Sequence, residues 1–267
     1  MEVLGYFLAA LVGISLGLIG SGGSILMVPI LVYVFALNPV LATSYSLFVV
    51  GATSLVGAFN NYRKGLVNIK TALLFGLSSV TIVFITRHFI MPRIPDVLFS
   101  IGSFQVKHDL ATMVLFAILM LMASFAMIRG GSKNTNADTN TSSVDTAKLL
   151  LFGVVVGLTT GFLGAGGGFL IIPALVLILK TPIKKAVGTS LLIIALNSLI
   201  GFTGDLNHIE INWKFLISIS LIAVGGIFIG GALAKKIESH KLKKGFGWFV
   251  LIMGVYIIIK EFFLTQT

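Results

Sequence analysis

The chain has 267 residues, 57% hydrophobic and only 10% charged, with a mean hydropathy of +1.06. That is too little polar surface for a soluble domain, and the length suits roughly ten membrane segments of about 20 residues each. The net charge of +10 does not mark a nucleic-acid binder, because the basic residues fall in short loops, and the absence of cysteine excludes disulfides, thiolate metal sites and cysteine nucleophiles.

In chain order, apolar segments are predicted near residues 3–19, 25–37, 40–59, 71–91 and 110–128, then near 147–163, 169–179, 186–203, 213–234 and 245–264. The first has Glu2 and no Lys or Arg ahead of it, so it reads as a retained segment and not as a cleaved leader. Residues 129–146 are rich in Gly, Ser, Thr, Asn and charge, with almost nothing to bury, and are expected to be a flexible linker. The chain thus divides into a first membrane repeat at 1–128, a polar linker at 129–146 and a second membrane repeat at 147–267. The triplet Asn140-Thr141-Ser142 has the form of a glycosylation acceptor, but such triplets are common in polar linkers.

The second half is the first written again at a shift of 144 positions, with no gap. Gly20-Ser21-Gly22-Gly23-Ser24 falls on Gly164-Ala165-Gly166-Gly167-Gly168, Pro29 on Pro173, Ser46-Leu47 on Ser190-Leu191, Gly57 on Gly201 and Asn68 on Asn212. Five segments per half is an odd number, which inverts the second repeat relative to the first. If each glycine-flanked pair enters and returns, one side collects most of the 19 basic residues and the other keeps only Arg87, Arg93, Lys107, Lys214 and Lys260. Lysine and arginine concentrate on the cytoplasmic side, so the linker is placed in the cytoplasm and both termini outside. The fold expected is an all-α integral membrane protein of two five-segment inverted repeats, with about eight full spans plus the glycine-broken hairpin segments.

The glycine runs carry the chemistry. An interrupted helix is tolerated in hydrocarbon only against protein or a watery cavity, and helices restarting at Ile25 and Phe169 would aim the positive ends of their dipoles at mid-membrane. That suits a small anion. The plainer reading is close helix packing, which Gly13-x-x-x-Gly17 and Gly153-x-x-x-Gly157-x-x-x-Gly161 are expected to serve. No Gly-Lys-Ser/Thr follows either run, so neither is a P-loop.

Polar side chains inside the apolar segments add candidates: Thr43, Ser44, Tyr45, Ser46, Thr53 and Ser54 in one half, Thr189, Ser190, Asn197 and Ser198 in the other. Hydroxyls often bond back to their own helix, so each alone reads first as structural, and it is their symmetric placement that makes Ser46 with Ser190 and Thr53 with Asn197 site candidates. The candidate substrate-binding set is Gly20, Ser21, Gly22, Gly23, Ser24, Ser46, Thr53, Gly164, Ala165, Gly166, Gly167, Gly168, Thr189, Ser190 and Asn197. Asn60, Asn61, Asp205 and Asn207 follow the third segments and suit caps or loops, with Asp205 also the candidate proton carrier. His88, His108, His208 and His240 read as loop residues without metal-ligand spacing, no lysine or arginine is expected to be buried, and no nucleophile–base pair stands inside an apolar segment. No metal, cofactor or catalysis is therefore expected.

The segments Gly-Leu-Ile-Gly-Ser-Gly-Gly-Ser-Ile-Leu-Met-Val-Pro at 17–29 and Gly-Phe-Leu-Gly-Ala-Gly-Gly-Gly-Phe-Leu-Ile-Ile-Pro at 161–173, the latter followed by Ala-Val-Gly-Thr-Ser-Leu at 186–191, resemble the sulfite exporter TauE/SafE family. The resemblance runs nearly end to end. It implies an inner-membrane permease of bacteria or archaea, exporting sulfite, sulfoacetate or related small sulfur-containing anions. The first half departs from the commoner pattern, having Thr43-Ser44-Tyr45-Ser46 where the second has Val187-Gly188-Thr189-Ser190. The expected partners are the anionic substrate and the lipid bilayer, with a homodimer allowed; the rival reading is a channel-like or regulatory membrane module that holds a ligand without moving it.

Overall fold

A computed structural model describes residues 2–20, 22–95, 97–101, 104–129, 146–177, 179, 181–234 and 239–261. The linker expected at 129–146 lies almost wholly outside the described residues, as does Ser21. Ten α-helices follow in order: α1 (Glu2–Ile19), α2 (Met27–Tyr33), α3 (Pro39–Arg63), α4 (Ile69–Ile85), α5 (His108–Arg129), α6 (Thr146–Leu163), α7 (Gly168–Leu177), α8 (Ile183–Asp205), α9 (Trp213–Leu233) and α10 (Ser239–Ile259). Among the described residues, five helical stretches are long and apolar enough to cross a membrane: Pro39–Arg63, Ile69–Arg93, His108–Phe125, Ile183–Asp205 and Trp213–Leu233. Shorter apolar helices accompany them, two of which meet the glycine runs from the N-terminal side, at Val3–Ile19 and Leu149–Leu163.

Local chemistry sets the boundaries. Asn68 and Asn212 occupy the same position in the two halves, and each side chain accepts from the backbone N–H three residues on, of Thr71 (3.1 Å) and Phe215 (3.2 Å), capping α4 and α9. At the start of α3, Asn38 accepts from Val40 N–H at 2.8 Å with proline following it. Helix α4 runs on through a π turn, Thr86–Ile90, and a 3₁₀ turn, Met91–Arg93.

One element was not expected in an all-helical chain. An antiparallel hairpin, β1 (Val97–Ile101) and β2 (Phe104–Lys107), joins α4 to α5 with Val97 paired to Lys107 and Ile101 to Phe104. Its β-branched and aromatic residues fit a strand where the apolar helical pattern lapses.

Helix packing is reciprocal. Helix α1 lies on α9 and α6 on α4, α3 crosses α8 at the centre, and α5 pairs with α10. The first two contacts are built from small residues. A Cβ at Gly13 would overlap the carbonyl of Ala223, and one at Gly157 would stand 2.6 Å from the carbonyl of Ser79. Likewise a Cβ at Gly57 would abut Ile227 and Leu191, and one at Gly201 Val83 and Leu47. Each pair maps onto its counterpart by the same shift of 144. In lipid no hydrophobic force draws helices together, so such close backbone approach, and the dispersion it gains, holds the bundle.

Candidate functional site

The two glycine runs break their helices as expected, but not identically. Gly20 (φ +89°) ends α1, after which a 3₁₀ segment, Gly22–Leu26, leads into α2. The regular α-helix therefore starts at Met27, two residues after the predicted restart at Ile25. In the second half Gly164, Gly166 and Gly167 have φ of +66°, +68° and +65°, and α7 starts at Gly168. These left-handed conformations are where a side chain would be strained.

At Gly23 and Gly167 the small residue allows close approach to the preceding helix. A Cβ at Gly23 would stand 2.7 Å from the carbonyl of Val12 and 2.9 Å from the amide of Leu16, and Gly23 has no left-handed φ. At Gly167 a Cβ would overlap Thr160 Oγ1 and stand 2.9 Å from Val156. The space a side chain would take is thus filled by α1 and α6 themselves, so each broken segment folds back tightly onto its preceding helix.

Around these breaks the polar candidates separate. Ser24, Ser46, Thr53, Ser190 and Asn197 are fully buried, as are Thr189 and Ala165 at 1% exposure. Thr53 and Ser190 are spent on their own helices, donating to Val49 O (2.7 Å) and Val187 O (2.8 Å). Thr189 Oγ1 accepts the backbone N–H of Asn68 at 2.9 Å, and at the equivalent position Tyr45 accepts that of Asn212 at 2.6 Å. Asn197 accepts from Ser79 at 2.8 Å while its amide nitrogen has no partner. Ser15, Ser46, Ser54, Thr160 and Ser198 are also buried without one. Of these, Thr160 lies beside Gly167, and a Cβ at Gly166 would stand 2.9 Å from Ser198 Oγ.

Arg87, Asp205 and His88 also lie differently from the sequence expectation. Arg87, read as a loop residue, is 1% exposed within the π turn, so the expectation of no buried base fails. Its Nη1 lies 3.0 Å from Asp205 Oδ2 and donates also to Thr43 (3.1 Å) and Ser44 (3.3 Å), while Ser44 donates to the same carboxylate oxygen. Asp205, which suited a cap or loop by sequence, is the last residue of α8 and 5% exposed. His88 also belongs to the π turn, stacked on Phe84, with Nδ1 3.3 Å from Gly204 O and its ring 5.5 Å from that of His208. The signal for Arg87 was present in the sequence, since it falls inside the apolar run at 71–91; what could not be read was that a π turn would carry that run past it. Among the described residues no group of three His, Asp or Glu could hold a metal.

A cavity of about 500 Å³ lies where α3 begins and the α8–α9 loop folds over it, lined among others by Phe35, Leu41, Tyr45, Glu210, Asn212 and Phe215. Tyr45 is itself buried, as are its chain neighbours Ser44 and Ser46.

A bundle of apolar helices with two broken segments meeting unpartnered polar groups is the architecture of a multi-pass membrane transport protein. The chain belongs to the sulfite exporter TauE/SafE family, whose model matches residues 6–257. It is 31% identical over 252 residues to a probable membrane transporter protein of Xylella fastidiosa (strain 9a5c), covering 93% of this chain and 91% of that one. It is similar too to the probable membrane transporter proteins YunE (28% identity, 91% and 89% coverage) and YdhB (25%, 93% and 96%) of Bacillus subtilis (strain 168). No solved structure matches.

Proposed function

We propose that the protein is a secondary transporter of a small oxyanion, with sulfite, sulfoacetate or a related organosulfonate as cargo, held between the glycine breaks and the crossing of α3 with α8. The observation that carries this reading is the set of buried donors without a protein partner: Ser46, Ser54, Thr160, Ser198 and the Asn197 amide. A buried polar group left unpaired costs roughly 1–3 kcal/mol, so several of them, two beside the second glycine break, call for a polar occupant. The family and the names of the relatives support transport, and the family's description as a sulfite exporter supports a sulfur oxyanion as cargo.

The architecture proposed is a pair of inverted five-segment repeats, with about eight full spans, the linker in the cytoplasm and both termini outside an inner membrane. The reciprocal packing of α1 on α9 and α6 on α4 supports it, as does the bias of lysine and arginine. Arg87 leaves the set of loop charges, which sharpens that bias.

The test is counterflow of sulfite and sulfoacetate in liposomes holding the purified protein. A carrier gives saturable uptake accelerated by anion on the far side. Conduction without saturation or acceleration would mark a channel, and no anion movement at all would overturn the reading.

A further inference from the structure

Arg87 is the one fully buried base among the described residues, and its guanidinium is half used. Nη1 makes every recorded bond, to Asp205, Thr43 and Ser44, whereas Nε and Nη2 are buried without a partner. Those two nitrogens form one edge of the planar fork, the edge whose parallel N–H groups match two oxygens of a carboxylate, sulfonate or phosphate. An ion pair present only for stability would be expected to fill that edge, because a buried pair recovers its desolvation cost only when the remaining protons are also satisfied.

The position of this group ties it to the second glycine break. A Cβ at Gly164 would stand 2.6 Å from Thr43 Cβ, so Thr43 touches the break on one side and Arg87 on the other. A Cβ at Gly161, one turn earlier on α6, would stand 2.6 Å from Thr86 Cβ, which holds the π turn against the same place. The other half has the same packing without the charges. Gly20 abuts Val187 as Gly164 abuts Thr43, and at the shift of 144 Arg87 corresponds to Gly231, Asp205 to Asn61 and Ser44 to Gly188. The scaffold therefore does not need an ion pair here.

We propose that the Nε–Nη2 edge of Arg87 binds the anionic cargo at the second glycine break, and that Asp205 takes up one proton as the anion arrives. This rests on the anion-transporter reading above. Empty, Arg87 and Asp205 sum to zero charge. An added monoanion would leave one uncompensated negative charge in a dry site, which a proton on the Asp205 carboxylate removes. Anion and proton then enter together and leave together, and no bond within the anion is broken. The other titratable groups near the pair are His88 on the same turn and His208 beyond the end of α8, while Glu210 in the α8–α9 loop lines the cavity beside Tyr45; from α3 the pair is faced by Thr43 and Ser44.

The experiment measures counterflow KM between pH 6 and 8 with sulfite, sulfoacetate and isethionate; isethionate stays a monoanion across that range and is the anion on which the one-proton slope is read. In the parent, uptake of one proton per anion makes apparent affinity rise up to about tenfold for each unit of pH decrease. Asp205→Asn should bind with no such slope and lose acceleration by an imposed proton gradient. Arg87→Lys keeps a charge for Asp205 but loses the fork, and should raise KM at least about tenfold. The double variant Arg87→Gln/Asp205→Asn, neutral at both positions, should fold and fail to bind, while His88→Gln and His208→Gln should keep the parental slope. Parental KM in Arg87→Lys or in the double variant, or a parental slope in Asp205→Asn, would overturn the inference and leave the transporter reading standing. A parent that moves none of the three anions overturns both.

Discussion

Tyr45 and Thr189 occupy one position in the two halves and do one job with different reach. Each hydroxyl accepts the backbone N–H of the capping asparagine of the other half, Asn212 and Asn68 respectively. Thr189 falls on Tyr45 at the shift of 144, and the bond to Asn212 gives the tyrosine, and not Ser44 or Ser46, the role of the second half's hydroxyl. Tyr45→Phe and Thr189→Val each leave a partly buried N–H unpaired and should cost about 1–3 kcal/mol, read as a lowered thermal midpoint in detergent. Ser198→Ala should behave in the opposite way. Its hydroxyl has no partner to lose, so stability should stay equal or rise, while affinity for sulfite in counterflow falls severalfold. Loss of stability with unchanged affinity would place Ser198 in the scaffold and not in the site.

At the scale of the element, glycine has two separable uses. In α1 and α6 it lets neighbouring helices approach to backbone contact, at Gly13 against Ala223 and at Gly157 against Ser79. Gly13→Val and Gly157→Val must push a whole helix aside, and each should destabilise by about 1–3 kcal/mol or more. Gly225→Ala in α9 is the control, since nothing lies within 4 Å of the added carbon, and its midpoint should hardly move. At the breaks the use is different, because Gly20 and Gly164 also hold a left-handed φ. Valine at Gly23 or Gly167 would strike α1 or α6, so a loss of transport there reports the fold-back as well as the site. The caps are a further element-level test. Asn68→Ala and Asn212→Ala should each cost about 1 kcal/mol by uncapping α4 and α9.

For the whole molecule, orientation is the testable consequence. Cysteine is absent from the chain, so a single cysteine introduced at Ser142 is a clean reporter of the linker. With the linker in the cytoplasm, it should be shielded from a membrane-impermeant thiol reagent in intact cells and react after lysis. Ready labelling of intact cells would reverse the proposed topology.

By itself the sequence determined the class of protein, the approximate positions of the helices, the doubling at a shift of 144 and the two breaks. These depend on local composition and period, which a chain carries along its length. It also offered two readings of each glycine and each hydroxyl, and it could not choose between them. That choice depends on what stands opposite, and the partners here are far apart in sequence: Gly13 with Ala223, Tyr45 with Asn212, Arg87 with Asp205. Only the tertiary structure decided that Thr53 and Ser190 bond to their own helices while Ser46 and Ser198 do not, and that a π turn carries Arg87 inward. The physical reason is that a buried charge or donor is defined by its surroundings, and in a bundle of crossed helices those come from the other half of the chain.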